Sequence, residues 1–115
     1  MIKRANEMEI IKEINAEKGQ GLLELTKMSN YFEKPEKLKT FMLAELEPGA
    51  SVGYHIHRGE SESYYIISGE GTYNDDGVDM PVSVGDVTFT PDGHGHGISN
   101  TGDKPLKFIA LIIFD

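Results

Sequence analysis

The chain has 115 residues, 38% of them hydrophobic and 26% charged, which suits one folded domain and excludes a disordered or collagen-like chain. Nineteen acidic residues against eleven basic ones give a net charge of −8, the wrong sign for a nucleic-acid or anionic-membrane binder. There is no cysteine, which excludes disulfides, thiolate metal sites, iron–sulfur clusters and a cysteine nucleophile.

In chain order, Met1-Ile-Lys-Arg-Ala-Asn-Glu7 is too charged for a signal peptide, and no apolar run approaches the ~18 residues of a membrane span. The expectation is a soluble cytoplasmic protein with no nucleic acid and no membrane among its partners. Glu9-Ile-Ile-Lys-Glu-Ile14 fits either a short helical turn or a strand. Gly19-Gln-Gly21 breaks the chain, and Leu22-Leu-Glu-Leu-Thr-Lys-Met28 alternates as a strand does. Ser29 or Asn30 is placed to cap a turn around Tyr31-Phe32-Glu33, which Lys34-Pro35 ends.

From residue 38 every signal is β. Leu38–Leu46 runs to Pro48-Gly49, and Ser63–Ser68 runs to Gly69 and Gly71. Gly71-Thr-Tyr73 leads into Asn74-Asp-Asp-Gly77, a hairpin turn by composition. Pro81–Val84 stops at Gly85-Asp86, and Val87–Thr90 stops at Pro91-Asp-Gly93. Leu106–Phe114 is apolar on both faces, the pattern of a strand covered on both sides. Short strands about ten residues apart, separated by Gly and Pro, indicate an all-β sandwich or barrel. Residues 1–37 are expected to pack on this barrel, or to exchange with that of a second copy, as a strand-rich extension. Residues 38–115 are expected to form the barrel itself.

All four histidines fall in two His-X-His windows, His55 with His57 and His94 with His96. A lone histidine is usually a surface or hydrogen-bonded residue, but residues i and i+2 of a strand share a face. His55 and His57 therefore project side by side, where their ring nitrogens can meet on one ion. Arg58-Gly-Glu-Ser61 has the composition of a turn, so a hairpin returns Glu62 beside the histidines as an oxygen ligand. Three imidazoles and a carboxylate suit one divalent transition metal per chain: iron, manganese, nickel, copper or zinc.

Gly49-X5-His55-X-His57-X4-Glu62-X6-Gly69 resembles the first motif of the cupin superfamily at each specified position. Gly85-X5-Pro91-X-Gly93-X2-His96-X3-Asn100 resembles the second, and fifteen residues separate Gly69 from Gly85, the compact spacing of small cupins. The resemblance implies a single-domain jelly-roll β-barrel (a double-stranded β-helix) holding a metal on His55, His57, Glu62 and His96. His94 matches no ligand position; a loop histidine near the mouth is the plain reading, with proton relay or substrate contact as the functional one. Asn100 reads as a turn or strand-end residue.

Alternation from Glu62 turns Tyr64 and Ile66 toward the ion, alternation from His96 turns Ile98 inward, and alternation from His55 does so for Ser51 and Gly53. Phe41, Met42, Phe89 and Phe108 are further lining candidates. Tyr64 stands out, because a buried phenol needs a polar partner. Residues 1–40 carry eight bases and seven acids, whereas residues 41–115 carry three bases and twelve acids. A phosphosugar needs Arg or Lys beside the metal, and within the barrel only Arg58 lies between Lys39 and Lys104. A weakly charged small organic ligand is the better match. Two functions fit: a metal-dependent enzyme, either a dioxygenase or an enolate-type isomerase or lyase, and a non-catalytic module binding a small molecule or metal. The two-faced apolar strands, residues 106–114 and Tyr65-Ile-Ile67, predict a homodimer through face-to-face sheets.

Overall fold

The computed structural model describes all 115 residues, Met1 to Asp115. Ten strands form two antiparallel sheets: β1 (Ile11–Ile14), β2 (Leu22–Lys27), β3 (Leu38–Leu46), β4 (Ser51–Ile56), β5 (Glu60–Ser68), β6 (Glu70–Asp75), β7 (Val78–Ser83), β8 (Val87–Thr90), β9 (Gly95–Ser99) and β10 (Leu106–Phe114). The larger sheet has the order β1-β2-β3-β10-β5-β8 and the smaller β4-β9-β6-β7. This is the jelly-roll arrangement expected of a cupin.

The core lies between the sheets. Alternation on β10 buries Leu106, Phe108, Ala110 and Ile112, and alternation on β5 buries Glu62, Tyr64 and Ile66. Leu23, Leu25, Ala44 and Leu46 extend this floor beneath β2 and β3, while Val52, Tyr73, Val82 and Ile98 close it from the smaller sheet. The ambiguous stretch at Glu9–Ile14 resolves as β1, which pairs with β2 to widen the sheet at its edge.

Three local expectations are corrected. Ser29 does not cap the turn at Met28–Tyr31; its hydroxyl accepts a hydrogen bond from the Phe41 N–H and so fastens the turn to β3. The turn after His57 is shorter than its composition suggests. Gly59, with φ of 75°, completes it, so Glu60 and Ser61 already belong to β5 opposite Phe114 and Ile113. Alternation also fails along β4, where the pairing with β9 slips between Val52 and His55. Ser51 and Gly53 therefore do not line the interior; Val52 and His55 do.

The preceding chain packs against β4 at this slip. A 3-10 turn at Ala16–Lys18 lies against β4, and a Cβ on Gly53 would overlap the Glu17 carbonyl oxygen. Asn15, Glu17 and Lys18 all have positive φ, between 50° and 61°, an uncommon backbone for residues with side chains. Burial of Ala16 holds the turn in place, together with hydrogen bonds from Ser51 N to Gln20 O (2.7 Å) and from Gln20 N to Ser51 Oγ (3.0 Å).

Candidate metal centre

His55 is the penultimate residue of β4 and His57 lies just beyond its end, while Glu62 lies on β5 and His96 on β9, so the four side chains are gathered from both sheets. Two backbone bonds and one to a side-chain carboxylate bring the two histidine windows together. The His57 N–H donates to His94 O (3.0 Å), the Gly93 N–H to His57 O (2.8 Å), and the Gly59 N–H to Asp92 Oδ1 (2.7 Å).

Within this frame the potential ligand atoms of His55, His57, Glu62 and His96 all lie within 4.8 Å of one another. Glu62 Oε1 is 2.9 Å from Nε2 of both His57 and His96, and those two nitrogens are 3.0 Å apart. The rings stand edge to face at centroid separations of 4.8 to 4.9 Å. His57, Glu62 and His96 are buried, and His55 is partly exposed.

The outer nitrogens show which atoms face the centre. His55 Nδ1 lies 2.8 Å from the Gly53 carbonyl, and His57 Nδ1 lies 2.6 Å from Glu60 Oε2. Both partners only accept, so each Nδ1 carries a proton. His96 Nδ1 lies 2.7 Å from the Tyr73 hydroxyl, which is also 2.9 Å from Thr90 Oγ1 and can accept from the ring while donating to the threonine. The Nε2 atoms of His57 and His96 are left to meet Glu62, where a cation held between them would satisfy both nitrogens and the carboxylate. The donor set therefore fits a divalent metal.

Titration follows from the same contacts. The Glu62 hydrogen bond raises the His57 pKa against the opposing effect of burial, with Glu60 adding to the rise. Burial lowers that of His96, and Glu62 only partly offsets it. Burial alone raises Glu62, but its hydrogen bonds with His57 and His96 outweigh this and hold it below the usual carboxylate range.

A cavity of about 220 Å³ opens onto His55, His57 and Glu62, with His96 fully buried behind them. Val52, Phe108 and Ile112 form apolar wall, and Glu13, Glu17, Lys39 and Glu60 bring charge to it. Tyr64 lines the cavity, and no protein group hydrogen-bonds its hydroxyl; burial pushes its pKa well above 10.0. Of the other lining candidates, Met42 and Phe108 reach the cavity, whereas Phe41 does not and Phe89 faces outward. His94 stands apart, half-exposed, with Nδ1 2.8 Å from Asp76 Oδ2. Asn100 is buried just past β9; its amide donates to the Leu46 and Lys104 carbonyls (2.9 and 2.8 Å) and ties that strand end to its neighbours.

Glu60 and Tyr73, which hold two of the imidazoles, were not singled out in the sequence, nor were Glu13 and Glu17 at the cavity. Tyr73 carried no local signal. Glu60 had one: a carboxylate three residues after a candidate ligand histidine.

Comparison with known proteins agrees with this geometry. Residues 42–113 match the family model of the cupin domain. An oxalate-binding protein of Thermotoga maritima is 41% identical over 113 residues, covering 98% of this chain and 93% of that protein. Oxalate decarboxylase OxdC of Bacillus subtilis is 34% identical over 83 residues, 68% of this chain but 22% of that longer protein. A Thermotoga maritima crystal structure, described as a predicted oxalate decarboxylase, superposes with a TM-score of 0.89 at 40% identity and full coverage of both chains. Fold, motif positions and relatives agree, and the chain belongs to the cupin domain family.

Proposed function

We propose that this cupin holds one divalent transition metal on His55, His57, Glu62 and His96 and binds a small carboxylate, oxalate or a close analogue, beside it. The observation that carries the reading is the convergence of three imidazoles and one carboxylate beside a cavity of about 220 Å³. Ligand pockets commonly run from about 300 to 1,000 Å³, so this cavity suits a ligand of few heavy atoms. The metal, when bound, supplies positive charge for anionic oxygens; iron, manganese, nickel, copper and zinc all accept this donor set.

The chain's own residues set the rest. Val52, Phe108 and Ile112 limit the ligand's size. Lys39, the one cation on the cavity wall, faces a carboxylate that extends past the metal, while Glu13 and Glu17 disfavour a more highly charged anion such as a phosphate. The Tyr64 hydroxyl is free to donate to a bound oxygen. Burial keeps it protonated, and the similarity to an oxalate-binding protein over 98% of this chain puts binding before catalysis.

A lyase is the second reading, favoured by the similarity to oxalate decarboxylase OxdC. Calorimetric titration of the metal-loaded protein with oxalate, malonate and acetate, combined with an assay for released formate and carbon dioxide, separates the two. Oxalate binding without formate is expected. Formate accumulating over many turnovers replaces the binder by the lyase, and a metal-loaded protein that ignores oxalate overturns both. We further propose that the chain works as a homodimer joined through the outer face of the larger sheet, where Tyr65, Ile67, Val87, Phe89 and Leu111 are exposed.

A further inference from the structure

The three imidazoles at the centre are not equivalent, and the difference lies outside them. His55 donates to a backbone carbonyl and His96 is held by a phenol, both neutral partners. His57 alone donates to a carboxylate, Glu60 Oε2 at 2.6 Å, and the other oxygen of that carboxylate accepts from Lys39 Nζ at 2.5 Å.

We propose that Lys39 and Glu60 form an outer relay that makes His57 the most electron-rich of the three imidazoles and so tunes how tightly, and with what electronic signature, the site holds its metal; the proposal rests on the metal reading above. Three elements build the relay. Glu60 opens β5 opposite Phe114, only 9% exposed, and Lys39 reaches it from β3 with its ammonium 5.9 Å from the Phe114 ring. Burying a carboxylate is costly, and removal from water strengthens the two charge-assisted hydrogen bonds that compensate it. A carboxylate pulling on Nδ1–H raises the donor strength of the opposite nitrogen. The ammonium pulls the same carboxylate the other way and moderates the effect. Glu60 and Lys39 are positioning residues of opposite sign.

The opposite signs allow a test. Co(II) serves as the probe, its affinity read by competition with a chromophoric chelator and its ligand field by the visible absorption band. Glu60→Gln keeps an acceptor oxygen for Nδ1 but removes the charge, and it is expected to weaken Co(II) binding by about 10- to 100-fold and shift the band to longer wavelength. Lys39→Met is expected to bind at least as tightly as the parent and to shift the band to shorter wavelength. Bands that superimpose on the parent's, or that move together, overturn the relay while the parent still binds Co(II). A parent chain that binds no Co(II) overturns the metal reading itself, and the relay with it. If circular dichroism shows Glu60→Gln unfolded, Lys39→Met decides alone: an unshifted band overturns the relay.

Discussion

In metal-free protein the inward nitrogens of His57 and His96 and the Glu62 carboxylate can share a proton in place of a metal ion. The raised basicity of His57, due first to Glu62, marks where that proton sits. A group whose pKa rises on folding stabilises the fold fully below its ordinary value, here 6.5, and loses the contribution as pH climbs through the raised value. Glu62 has the opposite sign: its contribution is present above 4.5 and is lost as pH falls through its lowered value. His57 and Glu62 therefore contribute most to the metal-free fold between about pH 4.5 and 6.5, whereas His96, whose pKa burial lowers, favours the fold as pH rises past 6.5 and offsets the loss of the His57 contribution toward pH 8. A bound metal needs proton-free ligands, so the loaded form is expected to gain stability over that same upward step. Thermal unfolding of chelator-treated and Zn(II)-loaded protein at pH 6 and pH 8 measures both slopes, and parallel slopes would remove the ion from these four residues. Of the four residues, His55 and His57 are legible from the i, i+2 rule and Glu62 from the hairpin that follows them, whereas His96 is legible only through the motif resemblance. Their supports are less so: Glu60 lies only three residues after His57, but Lys39 meets Glu60 across 21 positions and Tyr73 meets His96 across 23, and no local spacing encodes those two pairings.

At the scale of elements, Val87–Thr90, set between Gly85-Asp86 and Pro91, has the bounds its breakers indicate, whereas the stretch Pro81–Val84 falls at the end of a longer strand that starts at Val78. The reading failed where a long-range contact overrides alternation. Nothing near Val52 announces that the chain at Glu17 presses on Gly53, where the pairing with β9 slips and Val52 rather than Ser51 lines the cavity. The two glycines that flank this region respond differently to substitution. At Gly49, φ is 83° and nothing lies near an added Cβ, so Gly49→Ala is expected to cost only the left-handed backbone strain, about 1–2 kcal/mol. At Gly53 the obstacles are the Glu17 carbonyl and the Gly19 nitrogen, both backbone, so the turn must lift and release Ala16. Gly53→Ala is expected to cost about 3 kcal/mol by overpacking and to open residues 15–21 to limited proteolysis. Urea unfolding that shows the two variants equally stable would refute the seating of the turn on β4.

At the scale of the whole molecule the larger sheet has one face too many. Its inner face lines the cavity and core, but the outer face carries Tyr65 and Ile67 on β5, Val87 and Phe89 on β8 and Leu111 on β10, with Val87 and Phe89 72% and 60% exposed. Register makes these one surface: Val87 lies opposite Tyr65, Tyr65 opposite Ile109, and Leu111 opposite Phe41. An apolar patch crossing four neighbouring strands is costly to leave in water, and a second copy meeting it about a two-fold axis covers both faces at once. The net charge of −8 per chain opposes that meeting, so apolar burial must supply the driving force. Leu111→Glu places a carboxylate in the middle of the patch without touching the cavity. Sedimentation velocity at micromolar concentration is expected to show a dimer for the parent and a monomer for this variant, with Co(II) affinity unchanged because the ligands lie on the opposite side of the sheet. A parent that sediments as a monomer leaves the patch without this partner. A variant that loses Co(II) binding along with the dimer would instead mean that assembly is needed to form the metal centre.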